Sequence, residues 1–281
     1  MRYRPERGTC CAKPSACMEI EVSARGLHGD YAPAYSDFAH VAAWLRSASV
    51  GWPLPPPRQG GNGDCWLLTA ATGLQCFHPF LLRDMVTLEP SSATVSFPRL
   101  RPVTVNYVLP VGTAGKSAVV SVTGPTDLYW AILEKAVCKL LFLWRQPGLV
   151  EKRVRHGLGA TCHAPHYVDL HGGRVSDALG FLSPLLAPKP EGQALVGSPG
   201  ADTLKYLGAT GLFFLEVARN GGWHSMLLVA CTETHYLAYD PWGMTVAVPK
   251  GDCSLFYFQL RAAVSKAFLC CRKTAMFDLG T

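Results

Sequence analysis

Four residue types, well separated along the chain, could together carry out nucleophilic chemistry on a carbonyl. Residues 59–69 read "QGGNGDCWLLT": a Gln, a glycine run broken by Asn62, then Asp64 and Cys65 directly before an apolar run. Glycines ahead of a helix let the backbone approach another group closely. A Cys in the first helical turn sits among unpaired backbone N–H groups at the positive end of the macrodipole, which favours a thiolate. Such a thiol becomes a catalyst only with a general base beside it and a third group to orient that base. His224, in "NGGWHSMLLV", opens an apolar run after a glycine turn, and Asp240, in "YLAYDPWG", closes the next run sixteen residues later. Two antiparallel strands joined by a turn bring those two ends back together, so Asp240 could accept the imidazole N–H of His224. Gln59 could donate its amide N–H to a developing oxyanion, with the Cys65 backbone N–H as the second donor. Taken singly, a buried Cys, a His at a strand end and an Asp-Pro-Trp-Gly turn are ordinary structural features; the joint pattern is what points to chemistry.

The elements that must position these residues follow from periodicity and punctuation. "GWPLPPPRQGGNG" is too rich in Pro and Gly for regular structure and reads as a rigid approach to a helix beginning at Cys65. "CWLLTAATGLQ" is apolar on nearly every face, which predicts a helix buried all round. "HPFLLRDMV" predicts a second helix, "VTVNYVL" and "SAVVSVTG" predict strands, and "TDLYWAILEKAVCKLLFLW" has helical apolar spacing. Upstream, "YSDFAHVAAWLRSA" predicts a short helix capped by Ser36. The Gly-rich break in "DLHGGRVSDALGFL" predicts a hinge or turn leading into another helix. Beyond residue 195 the pattern changes to strands: "GLFFLEVA", "SMLLVACTE", "HYLAYD", "MTVAVP" and "SLFYFQL". Helices first and strands later predict an α+β fold. The expected division is an N-terminal extension over 1–50, a helical lobe carrying Cys65 over 51–175, and a β-rich lobe carrying His224 and Asp240 over 176–281.

Composition bounds the alternatives. The 281 residues are 49% hydrophobic and 16% charged, enough to build a large core. No uncharged apolar run reaches the roughly 18 residues that span a bilayer, and Glu134, Lys135 and Lys139 interrupt the most apolar stretch, so no membrane span is expected. The N-terminus is charged and has no apolar signal core, which predicts a cytoplasmic protein. Net charge is +6, and the basic clusters "RLRP" (99–102) and "EKRVRH" (151–156) are short, so solvated faces are expected and nucleic acid is not. Eleven cysteines are present, an odd number, and most lie in apolar runs, which predicts reduced thiols. Cys10, Cys11 and Cys17, and the Cys162, His163, His166 group, lack the paired spacing of a structural zinc site, so no metal is expected and zinc stays the minor alternative.

"QGGNGDCWLLTAA" resembles the active-site motif of the calpain family, papain-like cysteine proteases whose pattern is Q-G-x-x-G-D-C-W-L-L. "DLYWAILEKAVCKL" is similar to that family's S-x-F-W-x-x-L-L-E-K-A-Y-A-K helix, "VTVNYVLP" to its strand pair ending in Leu-Pro, and "YVDLHGGRVSD" to its F-E-D-F-T-G-G segment. "GWHSMLLV" resembles G-H-A-Y-S-V, and "YDPWG" resembles R-N-P-W-G, so the likeness spans roughly residues 52–250. It implies a papain-like fold, a helical lobe plus an antiparallel β lobe, and a cysteine endopeptidase acting on polypeptides. Carried over, Cys65 is the nucleophile, His224 the base and Gln59 the oxyanion donor. Trp66 would pack behind the nucleophile and Trp242 would shield the His–acid hydrogen bond. Gly63 and Gly222, in the glycine turns ahead of Cys65 and His224, are implied support or substrate-binding positions. Asp240 stands where the family has Asn, and Val168 where it has Glu. The acidic calcium loops are not evident and no D-x-D-x-D-G loop occurs, so no cofactor and no calcium control are expected. The Asp and the compact His-to-acid gap also resemble papain-like proteases of viral polyproteins, which implies the chain's own polyprotein as one substrate. A catalytically inactive interaction module of the same fold, and removal of a ubiquitin-like modifier or acyl transfer by the same triad, remain alternatives.

Overall fold

The computed structural model describes residues 32–33, 54–77, 79–107, 109–111, 125–144, 148–158, 164–183, 193–195, 211–219 and 222–259. The helix expected over "YSDFAHVAAWLRSA", the strand expected at "SAVVSVTG", and Cys10, Cys11, Cys17, Cys162 and His163 lie outside them.

Helices and antiparallel sheet are combined in an α+β arrangement. The first described helix, α1 (Cys65–Phe77), is buried from Cys65 to Gln75, as its all-round apolar sequence requires. It is followed by the short α2 (Pro79–Arg83) and a three-stranded sheet of β2 (Val86–Leu88), β3 (Ser92–Val95) and β4 (Val103–Asn106). The sequence "HPFLLRDMV" thus divides, its last residue belonging to β2 rather than to the helix. A two-residue bridge pairs β1 (Ala32–Pro33) with β5 (Pro110–Val111). The long α3 (Pro125–Leu143) has its described side chains buried almost to its C-terminus, including three charged ones. Lys135 reaches Asn106 Oδ1 and Lys139 reaches the Thr104 carbonyl at 2.9 Å, so two lysine stems cross apolar surface and end on β4. No helix of the described residues is long and apolar enough to cross a membrane.

A short α4 (Leu149–Arg155) follows, from the cluster expected to be a solvated basic face. Arg153 departs from that expectation. It is buried and grips Asp169 bidentately, Nε to Oδ1 at 2.7 Å and Nη2 to Oδ2 at 2.5 Å. A guanidinium fork satisfied on both sides tolerates burial that a lone charge would not. Asp169 lies in a 3₁₀ turn (Tyr167–Leu170) capped by His166, whose Nδ1 accepts the Val168 N–H at 3.1 Å. That nitrogen is therefore occupied in shaping the turn.

The glycine break at 171–173 leads into α5 (Val175–Leu182), as expected. Of the two expected alternatives it is a turn, and a closely packed one: a Cβ on Gly173 would lie 2.2 Å from the Trp66 ring. The remaining strands are β7 (Gly211–Arg219), β8 (Gly222–Cys231), β9 (His235–Asp240), β10 (Met244–Pro249) and β11 (Cys253–Gln259), with β6 (Gln193–Ala194) at the edge. They form an antiparallel sheet in the order β10-β9-β8-β7-β11-β6. Alternation along β7 divides two cores: Leu212 and Phe214 join the helices, whereas Phe213 and Leu215 join Met226, Tyr236, Ala238, Val248, Leu255 and Tyr257 on the opposite side. α1 lies directly on this sheet. A Cβ on Gly73 would come within 3.1 Å of Phe214, and Thr69 Oγ1 donates to the Ser225 carbonyl at 2.9 Å. That contact sets the start of α1 against the start of β8.

Candidate active site

Cys65 is the first residue of α1, and the Asp64 carbonyl accepts the N–H groups of Leu67 and Leu68 to begin the helix. Trp66, one residue on, points the other way. Its indole N–H donates to the Leu170 carbonyl at 2.7 Å, and its ring fills the space over Gly173 and meets Phe181 edge-on. A helix start pinned this way leaves the thiol little freedom. Cys65 is only 8% exposed, at the boundary between α1 and the sheet.

The sheet brings His224 to the same place. It sits near the start of β8, opposite Val217 of β7, and its imidazole is hydrogen-bonded to the Cys65 thiol. Nε2 faces Asp240 Oδ1 at 2.9 Å, which leaves Nδ1 for the sulfur. The β8–β9 hairpin returns the chain to its starting end, so the ends of two neighbouring strands supply base and acid. Asp240 is buried, and Oδ1 also accepts the Trp242 N–H at 3.0 Å. Trp242 stacks at a tilt over the imidazole, ring centroids 5.1 Å apart.

Electrostatics within the group are self-consistent. Burial alone would pull the imidazole below its ordinary value. The Asp240 and Cys65 hydrogen bonds and their charges outweigh it and push His224 up to about 9. Burial likewise opposes ionisation of Asp240, but the His224 and Trp242 hydrogen bonds, with the charges of His224 and Arg219, hold its carboxyl below the usual range. The group can therefore hold an imidazolium at neutral pH, flanked by a carboxylate and a sulfur.

Gln59 is tied directly to the sheet turn: its backbone N–H donates to the Pro241 carbonyl at 2.7 Å. Its side-chain Nε2 donates to the Asn62 carbonyl at 2.5 Å, which fixes the amide within its own loop. An amide nitrogen carries two hydrogens, so this bond orients the group and leaves one N–H for another acceptor. Gly63 packs against His171, and its carbonyl accepts the Gly172 N–H at 3.1 Å. Gly222 is at the outer end of the β7–β8 hairpin, opposite Arg219, where a Cβ would meet the Arg219 carbonyl at an unstrained 3.9 Å. Of the residues read from sequence, Cys65, His224, Asp240 and Trp242 meet directly, and Gln59 joins them through the loop. Trp66 and Gly63 act from behind, and Gly222 shapes a turn.

Sequence reasoning missed Arg219. Its Nη1 is 3.6 Å from Asp240 Oδ2, and its guanidinium lies 4.7 Å over the Trp242 ring, so one side chain contacts both residues that flank the imidazole. The signal was weak: a lone Arg at the end of β7 reaches this site only because the hairpin register sets it opposite Gly222. Arg58 is a second cation nearby, its side chain close against Gly243 in the turn after Asp240.

No protein-family model matches the chain, and no curated protein is similar enough to count as a relative.

Proposed function

We propose that the chain is a papain-like cysteine endopeptidase acting through Cys65, His224 and Asp240. The observation that carries this is the imidazole of His224 bound on one side to a thiol at a helix N-terminus and on the other to a buried carboxylate. The buried helix laid against an antiparallel sheet, with the nucleophile from one and the base from the other, supports the papain-like assignment.

In this scheme the scissile carbonyl lies over Cys65, its oxygen between the Cys65 backbone N–H and the second amide N–H of Gln59. The thiolate attacks, and the tetrahedral oxyanion takes up those two hydrogen bonds. The imidazolium of His224 gives its Nδ1 proton to the leaving amine, and the thioester remains on Cys65. Neutral His224 then takes a proton from water, which attacks the thioester and frees the acid. Asp240 fixes the ring orientation throughout and stabilises the cation. Trp242 keeps water from the His224–Asp240 bond.

Incubating the protein and its Cys65→Ala variant with a mixed peptide library, and reading products by mass spectrometry, tests this. Internal cleavages that need Cys65 are expected. Products that persist in the variant, or no cleavage by either protein, would contradict it. Release of a C-terminal modifier without internal cleavage would favour a deubiquitinase-like activity.

A further inference from the structure

Asp64 directly precedes the nucleophile and is fully buried, and Glu134, in the middle of α3, is equally inaccessible. An Asp before a helix ordinarily caps it, its carboxylate accepting N–H groups of the first turn. Here neither Asp64 oxygen receives a donor from another group. The side chain lies instead beside the Glu134 carboxyl. Ionised carboxylates only accept, so two of them can share a hydrogen bond only when one carries a proton. Two bare negative charges side by side, away from water, would repel strongly.

Asn62 completes the arrangement. Its Nδ2 donates to Glu134 Oε1 at 3.2 Å and toward the Tyr167 carbonyl at 3.4 Å. The loop 59–64 thus meets α3 at two points, through Asn62 and through Asp64. Other titratable groups around it are engaged elsewhere. Arg153 is closed on Asp169, Lys135 and Lys139 run to β4, and the Cys138 thiol donates to the His166 carbonyl. His171 packs edge-on against His156 beside Gly63, and Cys65, the next residue, faces His224. Burial, opposed by the Glu134 carboxyl beside it, lifts the Asp64 carboxyl to about 6.

We infer that Asp64 and Glu134 hold one proton between them, and that this proton positions the loop carrying Gln59 and the Cys65 backbone N–H. The positioning role rests on the peptidase reading above, whereas the shared proton does not. The pair carries a single negative charge. Losing its proton would set two charges against each other beneath the loop and displace both oxyanion donors, without either carboxyl touching substrate.

Two measurements test this. Infrared difference spectra at neutral pH should show a buried protonated-carboxyl C=O band in the wild type that is lost in Glu134→Gln. The glutamine can donate to Asp64 and accept from Asn62 with no titratable proton. Glu134→Ala should lower kcat by about tenfold with little change in KM, and Glu134→Gln should restore it to within about threefold. The wild type's loss of activity where the pair gives up its proton should be missing from Glu134→Gln. Absence of the band from the wild type, or equal damage by Gln and Ala, would overturn the inference. A band present in a protein that cleaves no peptide would keep the shared proton and remove the positioning role. Should Glu134→Ala not fold, the spectra of the wild type and Glu134→Gln decide.

Discussion

At the scale of single residues, the His224 imidazole is where geometry and charge meet. Its folded value of about 9 lies above the ordinary 6.5, so its stabilisation is complete below pH 6.5 and is lost as pH rises through about 9. With allowance for partial solvent screening, the loss is on the order of 2 kcal/mol. Thermal unfolding followed from pH 6 to 10 should show that decline, and Asp240→Asn should shift it to lower pH by removing the carboxylate charge. A wild-type melting temperature that is flat across this range would contradict the assignment of an imidazolium here. Gln59 makes a separate prediction. Gln59→Ala should lower kcat by on the order of 10²-fold with little change in KM, because its free N–H meets charge only in the transition state. An effect confined to KM would remove it from that role. These residues were legible in the sequence because their types are scarce and their order is informative. Arg219 was not, since nothing in "EVARNGGWH" marks which arginine atom will reach Asp240 and Trp242.

At the scale of elements, periodicity located α1, α3 and the five long strands of the C-terminal sheet, because each buries a face long enough to set a period. Short strands were harder. β2 and β3 contain three and four residues, and "SATV" carries too few apolar positions to show a period. The basic run at 151–156 read as solvated because sequence does not reveal that Asp169 waits to receive Arg153. The glycine pair at 172–173 read as a hinge or turn; the chain turns there, and Gly173 is fixed by the Trp66 ring lying on it. Gly173→Ala should therefore destabilise the fold by about 1–3 kcal/mol through overpacking. It should also reduce activity, because Trp66 is the residue that sets the Cys65 backbone. Denaturant unfolding with a parallel activity assay checks both, and a Gly173→Ala protein as stable as the wild type would mean that Trp66 has room to move.

At the scale of the molecule, the proposed chemistry depends on one seam, where the start of α1 lies against the start of β8. In that proposal neither side holds a site alone: the helical part would supply a sulfur and the oxyanion donors, and the sheet would supply the base and its acid. The seam is held by Thr69 on Ser225, by Gln59 on Pro241, and by Gly73 beneath Phe214 and Leu227. Sequence disclosed which segments had to meet but not what holds them, since those bonds run to backbone carbonyls that any residue offers. The most direct test of the seam is to treat the protein with a thiol-directed epoxide and map the adduct by mass spectrometry, alongside His224→Ala. A single adduct on Cys65, formed far more slowly in His224→Ala and abolishing peptide cleavage in the wild type, is the expected result. Labelling that ignores His224, or that falls on another cysteine while cleavage continues, would contradict a thiol–imidazole pair at the centre of this protein.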